Sequence, residues 1–207
     1  MASLRILFLK YLLKLHNFIN NRINGIVVQL NNGIHPKHRI MDYHKFFLDN
    51  IEQGSKVLDI GCGIGALTYS ISKKAGKIVA CDYNVNSISI AIFFFSSENI
   101  QYLIANATEF EFEDDFNYII LSNVLEHIQD RVGFLENLRP LAKFILIRVP
   151  MINRSWIILY KRELGLEDRL DKTHQIEYTL NGFKDEMKQA NLELSIIVSN
   201  LEKFGQN

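Results

Sequence analysis

Val57-Leu58-Asp59-Ile60-Gly61-Cys62-Gly63-Ile64-Gly65 is the stretch that decides the fold. A short apolar run ends in an acid, and glycine then stands at every second position. Past Gly65 the residues Ala66, Leu67, Tyr69 and Ile71 take up helical spacing. The pattern predicts a strand, a tight turn and the start of a helix. Glycine carries no Cβ, so such a turn can adopt positive φ and bring bare backbone against a ligand. The first turn of the helix adds unpaired N–H groups and a positive dipole end. In an open α/β sheet, a turn of this kind at the carboxyl end of a strand is where nucleotide-like ligands bind.

Working outward, strands alternate with helices. Strands are expected at 56–60, 77–82, 100–105, 117–122 and 142–149, with a sixth at 193–199. Helices are expected at 65–75, 85–97, 131–139 and 181–191, the last capped by Thr179 or Asn181. The first, fourth and fifth strands are nearly continuous apolar runs, as in strands buried on both faces of a parallel sheet. The expected fold is a Rossmann-like, doubly wound α/β domain over 35–207, its sheet mostly parallel and covered by helices on both faces. Residues 151–180 break the alternation after the fifth strand and are expected to form a substrate lid over the strand ends. Few residues follow the sixth strand, so an uncovered sheet edge and a homodimer are expected.

The chain of 207 residues is long enough for one such domain with a full core. Its 23 basic and 23 acidic residues balance, and nothing in that balance points to a nucleic-acid partner. Cys62 and Cys81 have neither CxxC spacing nor a flanking His pair, so no metal site is expected from them. A reducing, cytoplasmic setting fits their number.

Residues 1–34 form an extension. Its segment 4–19, LRILFLKYLLKLHNFI, is apolar but interrupted by Arg5, Lys10, Lys14 and His16, which argues against a membrane span. No small-residue cleavage site follows, which argues against a secretory signal. Lys10, Lys14, Asn17 and Asn21 share one helical stripe, with Leu4, Leu7, Phe8, Tyr11, Leu12, Leu15, Phe18 and Ile19 mostly opposite. Two readings stand: a helix packed on the domain or on a dimer partner, and an interfacial helix in peripheral contact with a membrane.

Two cofactor readings compete for the glycine turn. Gly61-x-Gly63-x-x-Ala66 satisfies the dinucleotide fingerprint, with Asp82 near the expected later acid. The fuller string Val-Leu-Asp-Ile-Gly-x-Gly-x-Gly resembles motif I of the class I S-adenosylmethionine-dependent methyltransferases of the small-molecule type. Asp59 and the third glycine, Gly65, carry that resemblance. The segment Leu121-Ser122-Asn123-Val124-Leu125-Glu126-His127 also resembles that family's fourth-strand loop.

The resemblance implies S-adenosylmethionine as cofactor, held by Asp59, Gly61, Gly63 and Gly65. Asp82, at the end of the second strand, takes the ribose. Asn106 stands where the family usually has an adenine-binding Asp, with Ala107 beside it. Ser122 and Asn123 flank the methionine part. Arg39, with His38 and Tyr43 as neighbours, lies in a pre-domain segment from which family members grip the methionine carboxylate. His127 and His174 are the candidate general bases. The implied reaction is methyl transfer to a small-molecule, sugar or lipid-linked acceptor, on oxygen ahead of nitrogen, with a His as general base. The alternatives are a nicotinamide-dependent oxidoreductase and a cofactor-binding protein without catalysis. The second of these is suggested by Asn106 and Asn117 standing where acids are usual.

Overall fold

The computed structural model describes residues 2–31, 34–112, 115–169 and 171–195. The chain opens with helix α1 (Ala2–Leu30), followed by two short helices, α2 (Lys37–Ile40) and α3 (Lys45–Asn50). The domain then alternates β1 (Lys56–Ile60), α4 (Ala66–Ser72), β2 (Lys77–Asp82), α5 (Val85–Phe94), β3 (Ile100–Ile104), β4 (Phe116–Ser122), α6 (Arg131–Leu138) and β5 (Ala142–Arg148). Helices α7 (Trp156–Glu163) and α8 (Leu180–Gln189) complete the described elements.

The five strands form one sheet in the order β3-β2-β1-β4-β5, and every pairing is parallel. The chain builds outward from β1 to β3 and then crosses back to lay β4 on the other side of β1. That reversal opens a crevice at the carboxyl ends of β1 and β4.

Side chains alternate along each strand, so each strand feeds both faces. Leu58, Ile60, Ile119 and Leu121 pack with Phe134, Leu135 and Leu138 of α6 and Met187 of α8. Val57, Ile78, Ala80 and Ile120 pack on the opposite face with Phe47 of α3 and Ile71 of α4. Each fully buried Leu or Ile contributes about 1.5–3 kcal/mol by leaving water. Three helix starts are fixed by side-chain caps. Asn84 accepts from the N–H groups of Asn86 and Ser87, Asp130 from Gly133, and Thr179 from Gly182.

Several boundaries differ from the sequence expectation. The helix after the glycine turn ends at Ser72 rather than 75, because Gly54 and Gly76 must turn against each other at the base of β1 and β2: the Gly54 N–H donates to Lys74 C=O, and a Cβ on Gly76 would stand 2.5 Å from Gly54 O. Residues 193–195 carry no strand, and the rest of the expected sixth strand lies outside the described residues. Helix α1 extends well past residue 19. Ile23, Ile26, Val27 and Val28 prolong its apolar character, and no proline occurs before Pro36.

Helix α1 touches the body through one side. Leu13 is buried, and Asn17 Oδ1 accepts a hydrogen bond from Lys161 Nζ of α7 at 2.5 Å. Leu4, Phe8, Tyr11, Leu15 and Phe18 fall about 140–180° from Leu13 around the helix and are all exposed. The apolar stripe therefore faces away from the domain.

The 151–180 excursion leaves and returns at one point. Met151 bridges Tyr178, and the Ile152 N–H donates to Tyr178 C=O at 2.8 Å. Tyr178 is fully buried; its hydroxyl donates to Glu186 of α8, whose other oxygen pairs with Arg131 Nε at 2.8 Å. Tyr178→Phe leaves a buried carboxylate oxygen without that donor and should cost about 1–3 kcal/mol, read as a lower midpoint in urea or thermal unfolding.

Candidate active site

The glycine turn is held by two acids. Asp59 is the last polar residue inside β1 and is buried; its Oδ2 accepts from Thr68 Oγ1 of α4 at 2.6 Å. This bond ties the strand to the helix on the far side of the turn. Asp82, at the end of β2, accepts from the Gly63 N–H at 2.9 Å and from the Asn84 N–H at 2.8 Å. It thereby fixes the middle of the turn and the start of α5. The N–H groups of Gly61 and Cys62 both donate to Cys81 C=O.

The glycines divide the work. A Cβ on Gly61 would stand 2.5 Å from Val124 Cγ2, and one on Gly65 would stand 2.5 Å from the Tyr102 hydroxyl. Those two positions are closed by the protein. Gly63 has φ +54° and nothing within 4 Å of its would-be Cβ, so the backbone there faces open space.

At the end of β3, Asn106 is exposed and makes an Asx turn. Its Oδ1 accepts from the Thr108 N–H and hydroxyl, and its Nδ2 donates to Glu109. Both ends of the amide are thus engaged locally, with half-buried Ala107 beside it. Ser122 and Asn123 lie at the end of β4, where Asn123 takes φ +61° and donates its N–H to Arg148 C=O. Asn117, at the opposite end of β4, accepts from the Lys56 N–H at 2.7 Å and staples β4 to β1, away from the crevice.

Arg39 is exposed on α2. The guanidinium that reaches the strand ends from within the domain is Arg148 of β5, stacked over the Tyr43 ring with its centre 3.5 Å from the ring centroid. His38 makes edge contacts with Tyr43 and His44, and His44 Nδ1 lies 2.9 Å from Ser70 Oγ of α4. Cations crowd here. Burial first, then Lys37, His44 and Arg148, push the His38 pKa down to about 4. Burial and Arg148 lower that of Lys37.

Across the crevice, residues far apart in sequence converge. His127 is exposed and His174 is buried, and their rings meet edge to face at 4.7 Å. His127 Nδ1 lies 2.9 Å from Thr173 Oγ1, and His174 Nδ1 lies 2.9 Å from Glu177 Oε1. Glu177 also pairs with Arg154 at 2.5 Å. Glu126 lies beside the pair, fully buried, with a carboxylate oxygen within 4.8 Å of a ring nitrogen of each, and its Oε1 accepts from Asn123 Nδ2 at 3.0 Å. Its Oε2 is buried with no hydrogen-bond partner among the described residues, and burial raises the pKa of the group. Nothing in the sequence spacing paired Glu126 with His174 or Arg148 with Tyr43. The apolar Leu-Ile-Arg end of β5 was the one available hint of a charge aimed at the crevice.

With this geometry in place, relatives become informative. A family model described as a methyltransferase domain matches residues 34–195. The chain belongs to that family, the class I S-adenosylmethionine-dependent methyltransferases. It is 26% identical over 137 residues to the demethylmenaquinone methyltransferase of Bacillus subtilis, covering 59% of each chain. It is 32% identical over 130 residues to the mitochondrial ubiquinone biosynthesis O-methyltransferase of Dictyostelium discoideum, covering 56% of this chain and 40% of that one. The chain thus spans about half the length of these curated relatives. The fold matches phosphoethanolamine N-methyltransferase 2 of Haemonchus contortus, solved with S-adenosylmethionine, at a TM-score of 0.55 and 18% identity, over 73% of this chain and 36% of that one.

Asp59 has a measurable signature. Burial pushes its pKa from 3.8 up to about 7. The folded chain then holds this proton more tightly than the unfolded chain, so stability falls as pH rises from about 4 to about 7 and levels off above. In Asp59→Asn the urea midpoint should lose much of that slope; an unchanged slope would contradict the assignment.

Proposed function

We propose that the chain binds S-adenosylmethionine across the carboxyl ends of β1, β2 and β3 and methylates an oxygen of a small-molecule, sugar or lipid-carried acceptor placed over β4 and β5. The observation that carries the reading is the open backbone at Gly63, whose N–H is held by the Asp82 carboxylate. Each Asp82 oxygen accepts one backbone N–H, and each keeps a lone pair for a ribose hydroxyl. Gly61, Gly63 and Gly65 keep the backbone close to the ligand. Asp59 lies beneath the turn, where a sulfonium bound overhead would favour its ionised form. Ala107 and Asn106 flank the adenine, Ser122 and Asn123 the methionine. A cation at this end, Arg39 from α2 or Arg148 from β5, takes the methionine carboxylate. Bound there, S-adenosylmethionine supplies an electrophilic methyl group.

The chain's own contribution is orientation and proton handling. Thr173 donates its hydroxyl proton to Asp171, so it accepts from His127 Nδ1–H and leaves the lone pair on His127 Nε2. His127, on the exposed side of the pair, is the group that can take a proton from an acceptor hydroxyl. His174 is buried behind it and orients it. The excursion 151–180 carries Thr173 and His174 to the crevice, which fits a substrate-covering role. An oxygen acceptor and a lipid-carried one are favoured by relatives named for quinones, one of them an O-methyltransferase.

Calorimetry tests the cofactor site. S-adenosylhomocysteine should bind and NAD should not, and Asp82→Ala should weaken binding about 10–100-fold, the loss of hydrogen bonds to a charged group. Binding of NAD in its place would favour the oxidoreductase.

The exposed stripe of α1 supports peripheral membrane contact. The helix holds Arg5, Lys10, Lys14 and Arg22 and no acid, so its charge suits an anionic surface. No helix among the described residues is long and apolar enough to cross a membrane. Phe8→Asp with Phe18→Asp should abolish sedimentation with vesicles containing phosphatidylglycerol without lowering the melting temperature. Unchanged sedimentation would exclude the stripe as the contact.

A further inference from the structure

We propose that Glu126, His127 and His174 form a binding site for one divalent cation of the zinc type, on the acceptor side of the crevice. One ligand atom from each residue lies within 4.8 Å of the other two. Two imidazoles and a carboxylate are a donor set that zinc and its neighbours favour over magnesium or calcium.

The surroundings prepare both imidazoles as ligands. His174 Nδ1 faces a carboxylate oxygen of Glu177 at 2.9 Å, so it is the protonated nitrogen and the lone pair is on Nε2. His127 Nδ1 faces the Thr173 hydroxyl, whose own proton goes to Asp171, so here too the lone pair is on Nε2. A carboxylate behind one ring and a hydroxyl–carboxylate pair behind the other are the outer contacts that orient metal-bound histidines.

The carboxylate shows the complementary defect. Glu126 is fully buried, yet Oε2 has no hydrogen-bond partner among the described residues. Its Oε1 and His174 Nε2 are 4.0 Å apart, beyond hydrogen-bond reach. Ligand atoms around a tetrahedral zinc stand about 3.3 Å apart, so the cluster would close by less than about 1.5 Å onto an ion. A cation there would be met by a Glu126 carboxylate oxygen and by the two imidazoles.

Ion binding stands on this cluster alone; its use in the reaction rests on the reading of the crevice given above. With an ion bound, His127 would be a ligand rather than the base; the ion would lower the pKa of a coordinated acceptor hydroxyl, whose proton would pass to solvent water as the oxygen takes the methyl group. Without it, His127 takes the proton directly.

The test uses the full chain after chelator treatment, titrated with zinc chloride by calorimetry and with cobalt(II) by visible absorption. One ion per chain is expected. His127→Ala, at an exposed position, and the isosteric Glu126→Gln should each weaken binding about 100-fold or more. Circular dichroism checks the fold of both variants. Titration of the same samples with S-adenosylhomocysteine reads the cofactor site separately. Absence of a stoichiometric ion, or equal affinity in folded variants, would overturn the proposal.

Discussion

The crevice depends on how a bare glycine turn is kept in one shape. Three glycines at alternate positions would leave the loop with many conformations, and two acids remove that freedom. Asp59 binds Thr68 across the turn, and Asp82 binds the Gly63 N–H from the neighbouring strand. The cost of burying Asp59 appears as its raised pKa. In return β1, β2 and α4 meet in fixed register at the point where the sheet order reverses. Every other functional group reaches the crevice from a strand end or from a connection that starts at one.

That arrangement divides the crevice. The β1–β3 side offers backbone, small residues and the Asp82 carboxylate. The β4–β5 side offers titratable groups: Glu126, His127 and His174, with Arg148 and the cations around Tyr43 nearby. Excursion 151–180 joins the two functions of stability and chemistry. Tyr178 anchors it to α8 and α6, and the same anchored segment delivers Thr173, His174 and Glu177 to the β4 loop. The backbone bond from Gln175 N–H to Glu126 C=O, at 2.8 Å, locks the two segments together.

The sequence made the sheet legible because β1, β4 and β5 are buried on both faces and read as unbroken apolar runs. The turn was legible because its chemistry is local: Asp59, Gly61, Gly63 and Gly65 lie within seven positions. What escaped was long-range. His174 and Glu126 come together only because the chain leaves the sheet and returns. Arg148 meets Tyr43 only because β5 ends beside the pre-domain segment. The engagement of Asn106 by Thr108 was readable in principle, since Asn-x-Thr favours an Asx turn. The direction of the α1 stripe could not be read from amphipathicity alone, because its pattern does not say which face meets the domain; Leu13 and Asn17 decide that.

The glycine turn belongs to S-adenosylmethionine in this reading of the crevice. Mass spectrometry of the small molecules released when the purified chain is denatured tests it. S-adenosylmethionine or S-adenosylhomocysteine should be released, and Asp82→Ala should release neither. Release of NAD or NADP with neither sulfur compound would contradict it.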